Sequence, residues 1–77
     1  MSKTEAEKVA DLLGNNGQNW VCKDDGRHLD LIAEDFRAKT TYRDMLTRYE
    51  FRDGSAIIDS GHWWDLEGEE EFSPLGE

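Results

Sequence analysis

Beyond Arg52 the chain contains no lysine and no arginine. A 25-residue stretch without a cation cannot hold phosphates by charge, so this end is no nucleic-acid-binding arm. Cysteine is nearly absent too. Cys22 stands alone, which excludes an internal disulfide and a redox pair and fits a reduced, cytoplasmic setting. No apolar run approaches the roughly 20 residues of a spanning helix. The charged start Met-Ser-Lys-Thr-Glu reads as helix rather than signal peptide. The only proline is Pro74, and there is no internal repeat and no Gly/Ser linker.

Chemistry-bearing patterns are equally scarce. His28, His62 and Cys22 lack metal-ligand spacing, and Asp24-Asp25-Gly26 lacks the remainder of a calcium loop. No local signature pairs Cys22 with a histidine for nucleophilic attack. Gly54, Gly61 and Gly68 sit at turn positions and do not form a phosphate cradle. A chain of 77 residues has little room for both a core and a deep pocket. The expectation is a non-enzymatic protein with no cofactor and no metal.

What is present is acid. The chain holds 18 Asp and Glu against 9 Lys and Arg, a net charge of −9. Residues 1–52 hold ten acids and nine bases; residues 53–77 hold eight acids and no base. The first two thirds are a near-neutral platform and the last third is a polyanion. Such a balance disfavours direct contact with nucleic acid or an anionic membrane and favours a basic partner. Hydrophobic content is 36%, but three Trp, two Tyr and three Phe make a small core plausible.

One domain over residues 1–77 is expected, with 68–77 an acidic tail. Ala6, Val9, Ala10 and Leu13 recur at helical spacing, so residues 3–13 read as a helix. Ser2 with Glu5, or Thr4 with Glu7, offers a capping box, and Gly14 a stop. Residues 19–32 allow two readings. Either 29–39 is a helix with Leu29, Ile32, Ala33 and Phe36 on one face, or 27–32 pairs with 19–23 across Asp-Asp-Gly as a hairpin. The helix formers from Ala33 to Lys39 favour the first. A short helical turn is expected to restart at Thr41, turning Tyr42, Met45 and Leu46 to the core.

Residues 48–66 carry the plainest pattern. Period-two alternation leads into Asp53-Gly54, a hairpin turn, and a return strand. A two-residue loop sets Phe51 opposite Ala56 and Tyr49 opposite Ile58, all facing the core. Gly61 and His62 begin a second turn into a third strand. A three-residue turn adds Trp64 and Leu66 to the core face; a two-residue turn exchanges Trp63 with Trp64. Glu50, Arg52, Ile57, Asp59, Asp65 and Glu67 then point outward. Alternate strand residues lie about 6.5–7 Å apart, comparable to the spacing of phosphates along DNA. Asp59, Asp65 and Glu67, extended by Glu69, Glu70 and Glu71, therefore form a candidate array for a basic surface, with Trp63 as an anchoring aromatic. The plainer reading of the 69–71 run is a solubilising tail.

The segment Arg48-Tyr-Glu-Phe-Arg-Asp-Gly-Ser-Ala-Ile-Ile-Asp-Ser-Gly, in a very small acidic chain, resembles the hairpin of acidic phage-encoded anti-CRISPR proteins. The resemblance covers about a quarter of the chain and brings no catalytic motif. It implies a DNA mimic that blocks the basic DNA-binding surface of a CRISPR effector, most specifically a type I surveillance complex, in the bacterial cytoplasm. The near-neutral first 52 residues depart from a uniformly acidic mimic and confine that expectation to the C-terminal third. The alternatives are an anti-restriction or other DNA-mimic inhibitor, and a small regulatory adaptor with a solubilising tail. The expected fold is α+β: an N-terminal helix and a second helical segment packed on a three-stranded antiparallel β-meander.

Overall fold

A computed structural model describes residues 3–68. The class is α+β, with helices α1 (Glu5–Leu12) and α2 (Leu29–Asp35) followed by strands β1 (Lys39–Arg43), β2 (Leu46–Glu50), β3 (Ala56–Asp59) and β4 (Trp64–Leu66). The strands pair antiparallel in the order β1-β2-β3-β4, so the sheet has four strands rather than three. Of the expected acidic tail 68–77, all but Gly68 lies outside the described residues.

Helix α1 starts at the expected capping box. The Thr4 hydroxyl accepts from the Glu7 amide, and the Glu7 carboxylate accepts from the Thr4 amide. It ends as expected too: Gly14 takes a positive φ of 80°, and the Gly14 and Asn15 amides bond back to Asp11 and Ala10. Tertiary contacts finish the N-terminus. Asp53 accepts the Glu5 amide and the Ser55 hydroxyl accepts the Ala6 amide, so the β2–β3 loop clamps the helix to the sheet.

Both readings of 19–32 hold in part. Val21 and His28 form a single antiparallel bridge across the Asp-Asp-Gly turn, with the Cys22 amide on the Arg27 carbonyl. The chain then enters α2, which is shorter than the expected 29–39. It stops because Arg37 adopts a left-handed φ of 60° and the Ala38 amide returns to the Ala33 carbonyl.

The expected helical turn at Thr41 is not there; the segment is strand β1. Adjacent Thr40, Thr41 and Tyr42 are strand formers, and their preference prevails over the isolated capping signal. The β1–β2 turn hid itself because its central pair, Asp44-Met45, lacks glycine although both residues have positive φ. Tyr42 and Met45 consequently face solvent, 66% and 75% exposed, rather than the core.

The β2–β3 register also differs by one residue. Tyr49 pairs with Ile57, not Ile58, because the loop has three residues and Phe51 closes on Ser55. Gly54, at φ 91°, supplies the left-handed step of such a loop. Ile57 is therefore fully buried instead of outward. The β3–β4 loop has two residues, Gly61 and His62, between paired Ser60 and Trp63. Two one-residue offsets cancel, so Trp64 and Leu66 still share the face of Tyr49 as expected. The helices cover that face: Val9, Leu13, Leu29 and Ile32 pack with Tyr49, Phe51, Ile57 and Trp64 in one core. Phe36 meets Phe51 edge-on at 6.0 Å.

Candidate interaction surface

The register decides where the candidate carboxylates go. Residues directly opposite share a sheet face. Asp59 is paired with Trp64 and Thr47, and so lies on the helix-covered face, at its rim. Asp65 is paired with Ile58 and lies on the other face. Asp59 and Asp65 therefore do not belong to one array. Asp59 is half-buried and accepts the Gly61 amide at 2.9 Å.

Glu67 shares the Asp65 face but is engaged internally. The Arg48 guanidinium reaches across β3 to donate to both Glu67 oxygens at 2.9 Å and to Glu50 at 3.1 Å. This bidentate pair holds the Glu67 carboxyl below its ordinary range and the Arg48 guanidinium above its own. The outward array thus contains its own counter-ion. Ile58, expected in the core, lies on this face, 6% exposed.

Trp63 is half-buried, whereas Trp64 is buried and donates its indole N–H to the Asn19 carbonyl at 2.8 Å. Trp63 and Asp65 line one shallow depression with Gly17 and Gln18 beside β4. Glu69, Glu70 and Glu71 lie outside the described residues.

A different acidic surface emerges at the helix side. Asp30 and Glu34 are one turn apart on α2, and both are exposed. Leu31 stands beside them, 51% exposed. With Ala38 and Thr40 these residues line a depression of about 360 Å³. Burial pushes the Tyr49 phenol up to about 12, and the charges of Asp59 and Asp30 push it in the same direction. The sequence held a signal for this patch. Leu31 falls outside the Leu29, Ile32, Ala33 and Phe36 stripe, and Asp30 and Glu34 flank it at helical spacing.

Among the described residues no group of three or more His, Cys, Asp or Glu is arranged to hold a metal ion, and no helix is long and apolar enough to cross a membrane. Comparison with family models, curated proteins and solved structures finds no match.

Proposed function

We propose that the chain is a stoichiometric, non-catalytic protein inhibitor that binds a basic nucleic-acid-binding surface, most specifically an anti-CRISPR protein that blocks target-DNA binding by a type I surveillance complex. The observation that carries this reading is the imbalance of charge. Beyond Arg52 there are eight acids and no base. Upstream, Lys3, Arg27, Arg48 and Arg52 are each held by the chain's own carboxylates. Asp30, Glu34 and Asp59 make no ion pair with a lysine or arginine among the described residues. A basic surface built for phosphates would meet them with long-range attraction.

The test is target-duplex binding by a purified type I complex with increasing amounts of the chain. Loss of duplex binding near equimolar addition is expected, and Asp30→Asn, Glu34→Gln and Asp59→Asn together should weaken it. Undiminished duplex binding rejects the CRISPR target. Loss of DNA binding by a restriction enzyme instead would favour the anti-restriction alternative. A host partner that is captured yet still binds DNA would favour the adaptor.

A further inference from the structure

The two edges of the sheet are finished differently. The β4 edge is covered at Trp64, whose amide donates to the Gly17 carbonyl at 2.7 Å. Gly17 lies so near that a Cβ there would stand 2.4 Å from the Trp64 oxygen. Among the described residues the β1 edge has no such cover. All five residues of Lys39–Arg43 are exposed, and among the described residues β1 pairs only with β2. The two-residue turn makes Arg43–Leu46 a hydrogen-bonded pair, and alternation makes Thr41–Arg48 and Lys39–Glu50 the next ones. Thr40 and Tyr42 fall between them, so their amide and carbonyl groups point away from the sheet. That is a two-residue template for another strand.

The side chains around this edge are divided by charge. On the helix side lie Thr40 and Tyr42, beside the depression holding Leu31, Asp30 and Glu34. On the opposite side lie Lys39, Thr41 and Arg43, with Asp44 at 3.7 Å from Arg43. A strand laid against β1 presents alternate residues to these two sides.

We propose that β1 docks an extended segment of a partner protein by strand addition, and that the segment alternates basic or aliphatic residues on the helix side with acidic residues on the other. Leu31 and Tyr42 supply the apolar contact, Asp30 and Glu34 receive the cations, and Lys39 and Arg43 receive the carboxylates. A second copy of this chain fits less well. Pairing centred on Thr41 sets Lys39 against Arg43 of the copy, and two chains of net charge −9 repel. The inference goes beyond the inhibitor reading and holds whatever the partner does with DNA.

The probe is an end-blocked peptide of sequence Lys-Glu-Val-Glu-Lys-Glu-Val, followed by amide hydrogen exchange on the full chain. Binding should slow exchange at Thr40 and Tyr42. N-methylation of alternate peptide amides, or Thr40→Pro, should weaken binding by at least about tenfold. The proline removes only an outward-facing N–H, and unchanged exchange in β2 and β3 shows that the variant is folded. Asp30→Lys with Glu34→Lys should weaken binding of this peptide and favour one whose two lysines are replaced by glutamates, since Lys39 and Arg43 still face the other carboxylates. No binding at about 1 mM peptide, binding without protection at Thr40 and Tyr42, or survival of binding after N-methylation overturns the proposal. So does a dimer of the chain protected at the same amides. A positive peptide result beside intact DNA binding by the surveillance complex would reject the CRISPR target alone and leave strand addition standing.

Discussion

Asp53 ties the β2–β3 loop to α1 through one carboxylate that accepts three hydrogen bonds. It accepts from the Ser55 hydroxyl at 2.5 Å, from the Ser55 amide at 3.0 Å and from the first amide of α1 at 2.8 Å. The sequence marked it only as a turn residue before glycine. Its tertiary role was illegible because nothing local says that a helix 48 residues upstream will present its N-terminus there. These donors pull the Asp53 carboxyl from 3.8 down to about 2, with the Ser55 hydroxyl foremost. A carboxyl that titrates lower in the folded state contributes stability above its unfolded value, and that contribution is lost as pH falls through the folded one. Asp53→Asn should therefore lower Tm at neutral pH and flatten the acid limb between about pH 4 and pH 2. Asp11, Asp25 and Glu67 are also held low, by Lys3, the Arg27 amide and Arg48 respectively, so part of the limb should remain. Thermal melts across that range check this; parallel Tm curves for the two proteins would refute it.

At the scale of elements, local chemistry was legible and register was not. The α1 capping box, its glycine stop and the existence of both C-terminal hairpins follow from residues adjacent in sequence. Whether a hairpin loop has two residues or three does not. Asp53-Gly54 is compatible with both, and the choice is made by α1 reaching for Asp53 and Ser55 and by the burial available to Ile57. The same choice dissolved the candidate array, since shifting β3 by one residue moves Asp59 to the other face from Asp65. β1 was missed for a different reason: its turn uses Asp44 and Met45 at positive φ, a conformation that Asp tolerates but that Met, standing where a glycine is usual, does not announce. Neighbouring isoleucines report the register directly. Ile57 lies in the helix-covered core, so Ile57→Ala should cost about 2–5 kcal/mol. Ile58 lies on the other face, on the line along which Arg48 reaches Glu67, and Ile58→Ala should cost about 1–2 kcal/mol. Urea unfolding of both variants measures the difference, and the reverse order would restore the two-residue loop.

For the whole molecule, the charge that distinguishes this sequence divides into two kinds. One kind is structural: Asp53 and Glu67, and Glu5 with Arg52, hold elements together and are spent inside the fold. The other kind faces outward, at Asp30 and Glu34 on α2 and at the rim by Asp59. Charge counting along the chain could not separate them, because the separation depends on which cation each carboxylate meets in space. The division has a kinetic signature. Outward carboxylates act at long range, so association with a basic partner should slow steeply as salt rises, with a Debye length near 10 Å at 0.1 M. Neutralising Asp30, Glu34 and Asp59 should lower the association rate and flatten its salt dependence while leaving Tm nearly unchanged. Neutralising Glu67 should do the opposite, lowering Tm by releasing Arg48 and changing the association rate little. Stopped-flow association at several salt concentrations, read beside thermal melts, measures both arms. If the Glu67 variant alone slowed association, recognition would belong to the Arg48 face and not to the helix side.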